Sequence, residues 1–155
     1  MVDEDKPRSV MLNQFIPYRM VNLAKRISDA CSEIYVEEFD LSVPEWRVLA
    51  QLGETDRQNS RDLGQVTFMD KSKVSRAVKQ LDSRGLLLKE KDPKDSRANY
   101  LSLTNAGRQL YFEVAPKALE WEAQLISELS PIEYRDLLLT MRKLEVQLDK
   151  LAERE

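Results

Sequence analysis

Lys71, Ser72, Lys73, Ser75, Arg76, Lys79 and Gln80 fall on one side of a helical repeat that runs from about Lys71 to Arg84. Ammonium, guanidinium, hydroxyl and amide groups at this spacing form a donor-rich surface of the kind that binds phosphate oxygens and base edges. The chemistry they offer is recognition rather than bond-making. Val74, Val78 and Leu81 recur at helical spacing on the other side and form the apolar stripe that holds such a helix to a core. Asp70 suits the N-cap, where a short carboxylate accepts an orphan backbone N–H, and Gly85 suits the position just past the end.

The elements that must position this face are legible on both sides of it. Ser60 to Val66 predicts a short helix with Leu63 and Val66 inward, joined to the basic helix by a tight connection of Thr67, Phe68 and Met69. Two short helices in this order, the second one basic, form a helix-turn-helix pattern, here without the glycine usual in the turn. Downstream, Leu86–Lys91 and Asn99–Leu103 read as strands, with Tyr100, Leu101 and Leu103 supplying β-compatible bulk. Asp92 to Arg97, DPKDSR, reads as the turn between them. The pattern is a winged helix. Its wing carries Lys89, Lys91, Lys94 and Arg97, which suit phosphates or a minor groove.

Asp95-Ser-Arg97-Ala98, followed after four residues by Leu103-Thr104 and then Gly107, resembles the wing signature of the MarR family of regulators, and VSRAVKQLDSRGLL is similar to that family's recognition helix. The resemblance extends over essentially the whole chain. It implies that Arg97 is the wing arginine of the minor groove and that Asp95 pairs with a basic side chain to stabilise the wing. It also implies a homodimer whose interface uses helices from both chain ends, and a small aromatic or phenolic effector lying between the winged helix and the dimer helices. Arg19, Trp46 and Arg47 stand in the right part of the chain for an anionic aromatic ligand, although no motif carries them over.

Composition narrows the function classes. The chain has 155 residues and a formal net charge of −3, so one domain with an oligomerisation element is expected. Nine Lys and Arg stand against four Asp and Glu between Lys71 and Arg97, whereas the rest of the chain holds 15 basic and 23 acidic residues. A basic patch on an acidic body directs nucleic acid to one face. There is no histidine, which removes imidazole catalysis and nearly every usual zinc site. The four scattered glycines form no phosphate loop, and Glu33, Glu37 and Glu38 read as solvated helix positions, so no enzyme activity, cofactor or metal is expected. With one cysteine, no leader and no long apolar run, the expectation is a cytoplasmic protein without membrane contact.

The flanking segments predict helices. Met1 to about Asn13 is polar and expected to fray. A long helix to about Phe39 follows, with Pro17 in its first turn and Met20, Leu23, Ala24, Ile27, Cys31, Ile34 and Tyr35 on one apolar face. Ser42-Val-Pro-Glu45 is a capping box that opens a helix to about Leu52, with Trp46, Leu49 and Ala50 inward and Gly53 as its end. Asp56–Asn59 reads as a loop. Thr104 caps a helix to about Leu129 that carries Leu110, Val114, Trp121, Leu125 and Leu129, with Pro116 expected to bend it or weaken one turn. Ser130-Pro-Ile-Glu133 is a second capping box, before a helix to about Ala152 with Leu137, Leu138, Met141, Leu144, Leu148 and Leu151 in its stripe.

The fold class read from this is mainly α with a small β-hairpin wing. Residues 1–40 give the first dimerisation helix, 41–103 the winged helix-turn-helix and 104–155 the C-terminal dimerisation helices. The long stripes need facing helices, and a two-fold homodimer supplies them. The functional expectation is a ligand-responsive repressor that binds double-stranded DNA at a pseudo-palindromic operator. Lys71, Ser72, Lys73, Ser75 and Arg76 would face the major groove, Lys79, Lys91 and Lys94 the phosphates, and Arg97 the minor groove. Two alternatives are a winged helix that binds protein, and a thiol redox-sensing regulator using Cys31, a residue with no basic immediate neighbour.

Overall fold

Helix α1, Ile16–Phe39, has proline in its first turn and ends at Asp40, whose φ of 51° turns the chain away. The computed structural model describes residues 8–153, so the expected fraying of residues 1–7 lies outside the described residues. Residues 8–15 hold turns, closed by N–H bonds from Gln14 to Met11 and from Phe15 to Leu12. The chain divides into two compact units between Ala115 and Pro116.

In the first unit the order continues with α2 (Val43–Thr55), β1 (Gln58–Asn59), α3 (Ser60–Thr67), α4 (Lys71–Ser83), β2 (Leu87–Lys91), β3 (Asn99–Leu103) and α5 (Asn105–Leu125), which runs on past the unit boundary. The strands form one antiparallel sheet in the order β1-β3-β2. Leu87 faces Leu103, Lys89 faces Leu101 and Lys91 faces Asn99 across the wing. Gln58 and Asn59, expected as loop, pair instead with Leu101 and Tyr100. A pair held by backbone bonds alone carries no hydrophobic alternation by which to recognise it.

The core lies where α2, α3, α4 and the sheet converge. Leu49, Leu52, Leu63, Leu81 and Leu101 are fully buried there, together with Val48, Leu41 and Val114. Each such leucine contributes about 1.5–3 kcal/mol by leaving water. Tyr35 is buried at the end of α1, with Cys31 and Ile34 packed beside it, whereas Met20 and Leu23 nearer the start of that helix are exposed.

Two expectations about inner residues change. Val66 is exposed, and Met69 takes the inner position. Helix α3 closes with Phe68 at φ 53°, and the Met69 N–H donates to the Gly64 carbonyl at 3.0 Å, which swings Met69 beneath the helix. In α2, Val48 and Leu52 are buried beside Leu49, while Trp46 and Ala50 are half-buried. Gly53 does not end α2. The helix continues to Thr55, and the Tyr111 ring lies where a Cβ at Gly53 would be, at 2.7 Å. The glycine is there for close approach, not for termination.

Both capping boxes form, with Ser42 accepting from the Glu45 N–H and Ser130 from the Glu133 N–H. In the second unit, α5 ends at Leu125 rather than near Leu129, and turns lead into α6 (Pro131–Ala152). The hydrogen bonds from Ser130 hold the Glu133 carboxyl below its ordinary range. No residue of α6 is buried. Among the described residues, no helix is long and apolar enough to cross a membrane.

Candidate nucleic-acid interface

The face of α4 is set by its cap and its stripe. Asp70 Oδ1 accepts the Lys73 N–H at 2.8 Å and fixes the start of the helix. Such a cap contributes about 1 kcal/mol. Val74, Ala77, Val78 and Leu81 are buried, and this one-sided burial leaves Lys71, Ser72, Lys73, Ser75, Arg76 and Lys79 exposed together, as the spacing predicts. At the far end the Leu86 N–H donates to the Leu81 carbonyl, and Gly85 adopts φ 71°.

The wing is held by its two aspartates. Asp92 Oδ1 accepts the Lys94 N–H at 2.8 Å, and Asp95 Oδ1 accepts the Arg97 N–H at 2.9 Å. Short carboxylates that bond two residues ahead define the turn from within. Asp95 thus carries a main-chain bond where the family resemblance implies a basic side-chain partner. The Ala98 N–H returns to the Asp95 carbonyl, and the Asp92 N–H donates to the Ala98 carbonyl, both at 3.0 Å. Lys91, Lys94 and Arg97 remain exposed on this frame. Lys89 is exposed as well, its ammonium 2.9 Å from Asp82 of α4, so that it also ties wing to helix.

An open groove of about 1280 Å³ runs between α3–α4 and the wing. Lys71, Ser75, Lys79 and Arg97 line it, so the structure brings recognition-helix and wing residues onto one surface. Asn59, Ser60, Arg61, Gln65 and Phe68 line it too, and sequence reasoning had missed them. A basic residue in the first turn of α3, Arg61, was the available signal. Asn59 caps that helix by accepting the Asp62 N–H at 2.8 Å. Behind the sheet, Arg57 stands 4.1 Å from the Tyr100 ring centre and 3.3 Å from Glu90, which braces the short β1 against the wing.

The residues considered for an anionic aromatic ligand have other neighbours. Trp46 is stacked between Tyr35, at 5.6 Å between ring centres, and Tyr111, at 6.3 Å. Burial pushes the Tyr35 phenol up, Cys31 adds to this, and the charge of Arg47 opposes both. Arg47 is exposed, and Arg19 lies on the exposed first part of α1. Among the described residues, no group of three acidic or thiol side chains could hold a metal ion.

Residues 39–98 match the sequence model of the MarR family, and that segment holds α2, the helix-turn-helix and the first strand and turn of the wing. Over that segment the chain matches the MarR family as a winged helix. The uncharacterized HTH-type transcriptional regulator YkoM of Bacillus subtilis is 28% identical over 107 residues, 69% of this chain and 70% of its own length. A MarR/EmrR family regulator from Acinetobacter sp. ADP1 has a solved structure with a TM-score of 0.82 at 25% identity, covering 91% of this chain and 99% of that one. Sco3205 of Streptomyces coelicolor, a MarR family regulator solved in complex with DNA, superposes with a TM-score of 0.79 at 22% identity, covering 92% of this chain and 91% of its own. The fold is thus the winged helix-turn-helix of MarR-type transcriptional regulators.

Proposed function

We propose that this chain is a sequence-specific, DNA-binding transcriptional regulator that acts as a homodimer on a pseudo-palindromic operator, represses transcription, and is released by a small aromatic or phenolic ligand. It binds and does not turn over a substrate. The observation that carries the reading is the exposed basic face of α4 beside a turn-locked wing bearing Lys94 and Arg97. Donors on a rigid scaffold lose little entropy on docking. That Sco3205 was solved with DNA supports this reading.

In the mechanism, Lys71, Ser72, Lys73, Ser75 and Arg76 address the major groove, and Arg76 reads guanine through its two-pronged guanidinium. Lys79, Lys91 and Lys94 bind phosphate. Arg97 enters the flanking minor groove, with Asp95 holding its turn. Residues 41–103 do the reading. Residues 1–40 and 104–155 set the distance between two copies of α4, and the exposed leucines of α6 are the surface that supports a second copy. A ligand held by Arg19, Trp46 and Arg47 would alter that distance and weaken simultaneous docking.

Fluorescence anisotropy with duplex DNA from upstream of the chain's own gene, beside a scrambled duplex and at two salt concentrations, tests the reading. Saturable, salt-sensitive preference for the upstream duplex is the expected result. Equal binding to both duplexes, or none at low salt, would turn the reading toward a winged helix that recognises protein.

A further inference from the structure

We propose that Phe68 is a DNA-reading residue whose ring packs on the C5-methyl groups of thymine at the edge of the major groove entered by α4. The assignment rests on the regulator reading above and adds an apolar determinant to its polar and charged ones.

The first observation is conformational. Phe68 sits at φ 53°, ψ 38°, closing α3 in the left-handed region. Side chains with a Cβ adopt that region at a cost, and glycine is the usual occupant of a helix end of this kind. The second is exposure. The ring is 94% exposed, more than any other large hydrophobic side chain among the described residues. It therefore gains no burial within the chain to offset its backbone strain.

The third observation is position. Phe68 stands two residues before Asp70, the N-cap of the recognition helix, and borders the same groove as Lys71, Ser75 and Arg97. The ring has no hydrogen-bond donor for a phosphate. The apolar feature that base pairs present in the major groove is the thymine methyl group, and an aromatic ring is a suitable partner for it. A strained, solvent-facing ring at the entrance of a basic helix has a role once the groove is occupied.

The test uses a duplex selected by the wild-type protein from a random-sequence pool, and the same duplex with uracil in place of thymine. Anisotropy is measured for wild type, Phe68→Gly and Phe68→Leu over a range of salt, with thermal unfolding alongside. Wild type should prefer the thymine duplex. Phe68→Gly should bind it about 10-fold more weakly, in line with the loss of one base contact, and should no longer distinguish the two duplexes. Phe68→Leu should keep most of the preference. The salt slope should stay unchanged, because no charge is removed. The melting temperature of Phe68→Gly should be equal to or above that of wild type. Wild-type indifference to uracil, undiminished binding by Phe68→Gly, or a fall in its melting temperature would each overturn the assignment while leaving the regulator reading intact. If wild type selects no sequence and binds no duplex at low salt, the regulator reading fails and this assignment with it.

Discussion

Val114, in the last described turn of the first unit, is fully buried, whereas α6 in the second unit buries none of its residues. The two regions are built with the same local chemistry. Each has a capping box with proline in the first helical turn, at Ser42 and at Ser130. Each has leucines at helical spacing. The difference is what the leucines meet. Leu49, Leu52, Leu63 and Leu81 face one another and the sheet, whereas Leu137, Leu144 and Leu148 are exposed by 45%, 41% and 64%. Capping decides where a helix begins, but packing of its apolar face supplies most of its stability. The winged helix closes its own core. The stripe of α6 matches the requirement for a second copy on which the proposed homodimer rests.

The largest break in this contrast should come from Gly107. A Cβ there would collide with the Leu86 carbonyl, where α5 crosses the entry to the wing. Gly107→Val should destabilise the chain by about 3 kcal/mol or more, read as a lowered urea midpoint, because overpacking against backbone has no flexible neighbour to absorb it. Next in size is the opposite face of the comparison. Leu137→Asp with Leu144→Asp should leave the winged helix folded and yield a monomer in sedimentation. Operator affinity should then fall about 100-fold, as the second half-site is lost. A dimer that survives this change would place the subunit interface elsewhere.

Two smaller effects sharpen the contrast within the first unit, between α4 and the wing. Arg76→Ala should cost about 1–3 kcal/mol of operator binding and relax preference at one base pair, measured by competition with single-position variants of the duplex. Lys94→Ala should weaken all sequences alike and reduce the salt slope by about 0.9, the signature of one phosphate contact. Base-specific loss from Lys94→Ala would mean that the wing reads sequence too.

The features legible in the sequence were those written in neighbouring residues. Asp70, Ser42, Thr104 and Ser130 cap as their spacing predicts; Thr104 Oγ1 accepts the Gly107 N–H at 3.0 Å. The outward face of α4 followed from its periodicity. The features that were not legible depend on what lies across space. Gly53 is a contact for Tyr111, β1 is defined only by its partner strand, and the Lys89 ammonium is paired with Asp82 of α4. The exposure of Phe68 is not legible in the sequence for a related reason. Its left-handed backbone follows from the path Met69 must take into the core, and nothing in the residue type phenylalanine announces it.

Arg84 joins α1 and α4 within the first unit. Its guanidinium donates to the carbonyl of Asp40 at 2.8 Å and to that of Phe39 at 3.1 Å, at the negatively polarised end of α1. The same residue is the C-cap of α4. A planar fork gripping two carbonyls resists twist as well as stretch, so α1 and α4 are geared to each other directly as well as through α2. A force that tilts α1 then has a direct path to α4 through one side chain, beside the packed path through α2. Shortening that residue would leave both helices intact but loosen the turning of one against the other.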